Sequence, residues 1–301
     1  MTHPRLRLGA LVVFAGMMSA ITLAQGPFTF VAVDGIELHV RQAGSAVPNT
    51  PTVVFENGLG TPLVSWIRVQ DEIAKDTRTV TYDRAGLGRS KVSEETPTAA
   101  IIARRLHALL GQLGAPPPYV LVGHSYGGPL IQFYAATYPN EVAGLVLVDP
   151  TDATVDMNDV WTKAGAPDGA AWERKTQQQA TTTAPPGIQA EIRMMLQDQR
   201  DGFSVFRGLK VPDVPIGILI AGRLQAPLVG TPFPGNFDNF ASAMVAQRVD
   251  HFSRVARNSK NGFMTLVATS DHFIQFRDPD SVVWAIRRVL KAAAAQPQQE
   301  R

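Results

Sequence analysis

Two stretches of this sequence carry side chains able to make and break bonds: YVLVGHSYGGPL at 119–130 and LVATSDHFIQF at 266–276. In the first, Gly123-His124-Ser125-Tyr126-Gly127 matches G-x-S-x-G, the nucleophile elbow. A serine lifted above a sheet edge on a tight strand-to-helix turn needs minimal neighbours, and the glycines supply them. The flanks suit that context: YVLV reads as a strand and GPLIQFYAATYP as a helix. A serine hydroxyl is a poor nucleophile without a base within hydrogen-bonding reach. His124 cannot be that base, because neighbours on a sharp turn point in different directions; it is expected to support the elbow. Of the six histidines, His3 falls in the leader, His39 on a strand and His107 and His251 on helices. His272 is left, in the loop beyond the last strand, at the sheet edge where groups of open α/β sheets gather.

A serine nucleophile attacking a carbonyl also requires donors for the developing oxyanion, best supplied by backbone N–H groups. Tyr126, directly after the nucleophile, is one candidate. Leu59 in ENGLG, residues 56–60, is the other, with Gly58 and Gly60 allowing close approach of the backbone.

The elements that would position these groups follow from periodicity. Residues 28–33 and 36–43 flank Asp34-Gly35, a hairpin signal, and the alternation in IELHV places His39 on a solvent-facing side. PTVVFENG, TRTVTYDRAG, PYVLVGHS, AGLVLVDP, PIGILIAG and FMTLVATS are short apolar runs suited to strands buried on both faces. Helical spacing appears over 63–74, 98–113, 129–138, 240–258 and 279–295. The alternation predicts an α/β protein: a mostly parallel, doubly wound sheet with an N-terminal antiparallel hairpin. Residues 151–212 break the rhythm with polar WTKAGAPDGAAWERKTQQQATTTAPPG and helical EIRMMLQDQR. They predict a helical lid, with Trp161, Trp172, Met194, Met195 and Phe203 to dock it. The division is a leader at 1–24, core at 25–150, lid at 151–212 and core again at 213–301.

The order ENGLG, YDRAGLGRS, GHSYGG, LVLVDP, lid and DHFIQ resembles the α/β-hydrolase fold superfamily over roughly residues 28–290. The chain is most similar to esterase- and lipase-like members with a serine nucleophile. Members that open epoxides or displace halide carry aspartate at the elbow, so Ser125 speaks against both activities. Glu56-Asn57 stands where His-Gly often begins the oxyanion loop, a departure expected to alter the loop's support more than the hole. The resemblance implies an acid partner for His272. Its commonest place, after the strand that follows the lid, offers no carboxylate before Asp238. The alternative place, at the end of the strand before the lid, offers Asp149 first and Asp152 second. Asp271, adjacent to His272, is expected to point elsewhere, and Asp83-Arg84 to form a structural turn. The implied activity is cleavage of a carboxylic ester through an acyl-enzyme by Ser125, His272 and Asp149. An amidase or peptidase, a lactonase, a carbon–carbon bond hydrolase and a non-catalytic ligand-binding protein remain alternatives on the same framework.

Composition narrows the surroundings. Of 301 residues, 45% are apolar and 18% charged, ample for a packed core. The 28 basic and 26 acidic residues nearly balance and are scattered, which argues against a nucleic-acid partner. There is no cysteine, which excludes disulfides, thiolate metal sites and a cysteine nucleophile. No metal cluster, phosphate loop or dinucleotide fingerprint appears, so no cofactor is expected. The N-terminus carries Arg5 and Arg7 before ALVVFAGMMSAITLA, the pattern of a secretory signal peptide cut after Ala24. Its apolar run of about 15 residues is short for a bilayer span, so a secreted or periplasmic protein with no stable membrane span is expected. The expected partner is a small-molecule ester with a moderately hydrophobic acyl group, in keeping with the lid's apolar and aromatic residues.

Overall fold

A computed structural model of the chain describes residues 27–224 and 232–295. The leader and its cleavage position lie outside the described residues. The strands are β1 (Phe28–Val33), β2 (Ile36–Ala43), β3 (Thr52–Glu56), β4 (Thr79–Tyr82), β5 (Tyr119–His124), β6 (Val142–Val148), β7 (Ile216–Ala221) and β8 (Phe263–Val267). They form an eight-stranded sheet in the order β1-β2-β4-β3-β5-β6-β7-β8. β2 runs antiparallel to both its neighbours, and the pairs from β4 through β8 are parallel.

The helices are α1 (Ile67–Ile73), α2 (Ala99–Gln112), α3 (Gly127–Thr137), α4 (Met157–Lys163), α5 (Gly169–Thr183), α6 (Pro186–Arg200), α7 (Phe237–Arg257), α8 (Ile274–Arg277) and α9 (Pro279–Ala294). Alternate residues of the central strands face opposite layers, as the two-residue period of a strand requires. Leu121, Leu145, Leu147, Ile218 and Ile220 pack with Leu106 and Leu109 of α2, Ile131 and Tyr134 of α3 and Phe252 of α7. Val120, Val122, Val146, Val148 and Leu219 pack on the other side with Val69 and Ile73 of α1 and Val282, Ile286 and Val289 of α9. Continuous apolar runs were the right signal for the central strands, which are covered on both faces; FMTLVATS departs from it, because β8 ends the sheet and leaves Leu266 44% exposed. Helix starts obey local chemistry: the Thr98 hydroxyl accepts from Ile101 N to cap α2, and Asp278 accepts from Ser281 N ahead of Pro279 in α9.

His39 corrects one expectation. It is only 3% exposed, packed against the rings of Phe28 and Phe30, each with its centroid 5.2 Å away. Its Nδ1 lies 2.8 Å from the Asp83 carboxylate. The alternation in IELHV is real, but β2 is flanked by β1 and β4, and the turn after β4 covers the face that would otherwise be wet.

Between β6 and β7 the chain leaves the sheet as α4, α5, α6 and a short 3-10 turn at Ser204–Phe206. Trp161 and Trp172 do supply docking surface: they pack with Phe233 and Phe240 in an apolar cluster beside the start of α7. α6 instead lies against the loops after β3 and β4. A Cβ on Gly187 would collide with the Gly86 backbone, and one on Gly60 would lie 3.0 Å from the Ile188 side chain. Among the described residues, no helix is long and apolar enough to cross a membrane.

Candidate active site

Ser125 sits between β5 and α3 with φ at +52°. A positive φ on a non-glycine residue costs roughly 1–2 kcal/mol, strain that persists only where the surroundings hold it. Here they do: Ser125 N donates to Val148 O at 3.1 Å, while Ser125 O accepts from Gly128 N at 2.9 Å and Thr151 N at 3.0 Å. The flanking glycines are sterically required. A Cβ on Gly123 would meet the Gly127 carbonyl, and one on Gly127 would lie 2.7 Å from the carbonyl oxygens of Glu56 and Asn57. Tyr126 stands at the N-terminus of α3 without a side-chain capping bond, where the first N–H groups have no intrahelical partner.

The candidate base and one candidate acid meet. His272 Nδ1 lies 2.6 Å from Asp149 Oδ2. A carboxylate there can only accept, so the shared proton belongs to Nδ1 and Nε2 is left as the basic nitrogen of the ring. The imidazole is 45% exposed while the Asp149 side chain is 3% exposed, which places a solvent-reachable ring on a buried carboxylate. The other Asp149 oxygen, Oδ1, accepts from Ala221 N and from the Arg248 guanidinium, both at 2.8 Å. Burial by itself would raise the Asp149 pKa, but the His272 hydrogen bond and the Arg248 charge outweigh it and lower it to about 2. Like Ser125, Asp149 has a positive φ, +42°.

The remaining carboxylates considered from sequence go elsewhere. Asp152 accepts from Thr154 and lies 2.8 Å from His251 Nδ1. Asp238 is exposed in the first turn of α7. Asp271 takes Phe273 N at 3.1 Å and Arg277 Nε at 2.9 Å.

His124 faces away from solvent, and its Nε2 lies 2.8 Å from the His272 carbonyl oxygen. The carbonyl can only accept, so Nε2 carries the proton. The two rings lie 4.6 Å apart. Desolvation, with the neighbouring His272 ring, depresses the His124 pKa to about 3. His124 is thus a neutral strut between the elbow and the loop that carries His272.

Leu59 is partly buried and packs against Tyr126 together with Leu130, Phe133, Met195 and Phe206. The loop before it is anchored from below. Glu56 Oε2 accepts from the Tyr82 hydroxyl at 2.5 Å, and the Asn57 side chain donates to Tyr82 O at 2.6 Å. Arg84 is 3% exposed and reaches Glu56, the carbonyls of Asn57 and Gly58, and Glu191 of α6. The departure at Glu56-Asn57 therefore has a structural counterpart: a buried acid–guanidinium–acid chain supports this loop. Arg248 and Glu191 were not singled out from the sequence, and Arg84 was expected only as part of a structural turn. Arg248 lies 99 residues from Asp149 and has no local signal. Glu191 and Asp198 had a faint one, since two carboxylates share the face of α6 that buries Ile192.

Comparison with known proteins places this arrangement. The profile of the alpha/beta hydrolase fold matches residues 51–278. The protein YqjL of Bacillus subtilis is 27% identical over 266 residues, covering 88% of this chain and 92% of YqjL. YbdG of the same organism is 31% identical over 129 residues, 42% of this chain and 39% of YbdG. Among solved structures, an epoxide hydrolase from Vigna radiata superposes with a TM-score of 0.62 at 15% identity, covering 89% of this chain and 98% of that one. A thermophilic esterase from Thermogutta terrifontis gives 0.53 at 18% identity, covering 89% and 100%. At such identities the likeness to those structures is one of fold alone. The profile match over most of the chain carries further: this protein belongs to the alpha/beta hydrolase fold family.

Proposed function

We propose that the protein is a serine hydrolase that cleaves a carboxylic ester through an acyl-enzyme. The observation that carries this reading is the 2.6 Å contact of His272 Nδ1 with Asp149, beside a serine held at positive φ. In this reading His272 Nε2 takes the proton of Ser125 Oγ as the hydroxyl attacks the ester carbonyl. Asp149 keeps the tautomer and steadies the imidazolium, and the N–H groups of Leu59 and Tyr126 hold the oxyanion. The imidazolium then protonates the departing alcohol, and a water activated at the same nitrogen releases the acid.

The apolar cluster of Leu59, Tyr126, Leu130, Phe133, Met195 and Phe206 supports a moderately hydrophobic acyl group. Met195 and Phe206 reach it from the insertion, which acts as a lid in this reading. The basic, then apolar N-terminus supports export to the periplasm or medium, with the leader removed after Ala24. The test is labelling of Ser125 by a fluorophosphonate together with turnover of aryl esters, amides and lactones. Ser125→Ala abolishes labelling, and esters are turned over fastest. Persistent labelling of the alanine variant removes Ser125 from the mechanism, and turnover of amides alone overturns the ester assignment.

A further inference from the structure

We propose that Glu191 of α6 and Arg84 are positioning residues that orient the Leu59 N–H, so that the oxyanion hole is complete only while the insertion is seated. The proposal rests on the serine-hydrolase reading above and assigns a specific task to a residue of the insertion.

The geometry begins with the peptide planes of residues 57–60. In a trans peptide the carbonyl and the following N–H point in opposite directions. Arg84 donates from one nitrogen to Asn57 O at 2.7 Å and from another to Gly58 O at 2.9 Å. Thr61 adds its hydroxyl to Gly58 O at 3.0 Å. With both carbonyls turned towards Arg84, the N–H groups of Gly58 and Leu59 must point the other way. Ser125 lies close to this loop: a Cβ built on Gly58 would be 3.2 Å from the Ser125 Cβ. The orientation of the Leu59 N–H therefore rests on the Thr61 turn from within the loop and on the guanidinium from outside it.

Glu191 holds it. Its two oxygens take Arg84 Nε at 2.5 Å and Nη2 at 2.8 Å, a two-point grip that fixes the plane of the guanidinium. The same carboxylate accepts from Gly60 N at 3.1 Å, the next donor along the loop. Glu191 thus constrains the backbone on one side of Leu59 directly and on the other through Arg84. Both side chains are almost fully buried, at 1% and 3% exposure, where charge-assisted bonds are strong and an unmatched charge is costly. Glu56 holds the far side of Arg84 from within the sheet. Withdrawing α6 would strip Nε of its partner and Nη2 of one of its two, leaving Glu56 and the two loop carbonyls to hold the guanidinium. The neighbouring contact of the Tyr126 hydroxyl with Asp198 of α6 at 2.9 Å ties the second candidate donor's residue to the same helix.

The experiment compares the full-length wild type with Glu191→Ala, Glu191→Gln and Ser125→Ala. It measures kcat and KM for 4-nitrophenyl butyrate, the rate and final extent of fluorophosphonate labelling, and the unfolding temperature. Removing one oxyanion donor costs about 10²–10³ in kcat, so partial misorientation in Glu191→Gln lowers kcat roughly 10-fold and Glu191→Ala roughly 100-fold. KM stays within about threefold, the labelling rate falls in step with kcat, and labelling still reaches completion at Ser125. Unchanged kcat and labelling rate in a folded variant overturn the proposal. So does a rise in KM alone, which would make Glu191 a wall of the binding site. If the alanine variant does not fold, the isosteric glutamine variant decides by the same criteria. Labelling of Ser125→Ala at the wild-type rate instead sinks the serine-hydrolase reading itself, whatever the Glu191 variants do.

Discussion

His272 Nδ1 and Asp149 Oδ2 stand 2.6 Å apart, and the other Asp149 oxygen is already committed to Ala221 N and Arg248. That division dictates the behaviour of Asp149→Asn. The amide oxygen must face Ala221 N and Arg248, which only donate, so the NH₂ group faces His272 Nδ1. The ring then has to accept at Nδ1 and carry its proton on Nε2, the tautomer that cannot take the Ser125 proton. On the serine-hydrolase reading proposed above, ester turnover falls by about 10³–10⁴-fold in kcat, with KM little changed. Steady-state kinetics at pH 7–8 check this, and a loss under tenfold removes Asp149 from the orienting role.

The His272 hydrogen bond and, after it, the Arg248 charge set how far acid must go before Asp149 is protonated. Asp149 is depressed from 3.8 to about 2, so its share of stability is complete above 3.8 and lost as pH falls through about 2. Arg248→Met removes a charge that lowers this value, leaving burial less opposed. The folded-state pKa of Asp149 rises, and acid unfolding begins at higher pH than in the wild type. Circular dichroism between pH 5 and pH 2 reads the midpoint; coincident curves refute the coupling.

His124 contributes acid sensitivity at milder pH. Its pKa is depressed from 6.5 to about 3 by burial, so the unfolded chain binds a proton there that the folded chain refuses. Stability is complete above 6.5 and declines as pH falls towards 3, by up to about 1.4 kcal/mol per unit from this group. Its Nδ1 has no hydrogen-bond partner among the described residues, so protonation gains nothing in place. In His124→Gln the decline in urea midpoint from pH 6.5 to pH 4.5 is shallower than in the wild type. An equal slope in both proteins excludes this assignment.

Two glycine-to-alanine changes go in opposite directions. At Gly127 the new Cβ lies 2.7 Å from two backbone carbonyls, and Arg84 already holds one of these, Asn57 O. Backbone must move, costing about 1–3 kcal/mol or more, and the elbow moves with it. At Gly111, inside α2, nothing lies within 4 Å. There alanine stabilises by roughly 0.5–1 kcal/mol through helix propensity and a less disordered unfolded chain. Urea unfolding of the two variants checks both signs.

The legible part of this protein was what short-range chemistry writes into neighbouring residues. A run of branched apolar residues closed by a turn marks a strand buried on both faces, so the parallel sheet and its flanking helices could be read directly. The elbow was legible for the same reason: strand, G-x-S-x-G and helix are contiguous, and steric demand on Gly123 and Gly127 acts within a few residues. Elimination among six histidines then pointed to His272 as the candidate base. His39 shows the limit, since its strand was found but the cover over that face came from Asp83, 44 positions away. The acid was the same kind of problem. Asp149, Asp152 and Asp238 are equivalent as residue types, and only the parallel register of β6, β7 and β8 brings Asp149 to His272 while α7 draws Asp152 to His251. The Glu56–Arg84–Glu191 chain spans strand, turn and insertion, and its last two members are 107 positions apart. A charge can be buried there only because two distant partners arrive together, and that condition exists solely in the folded chain.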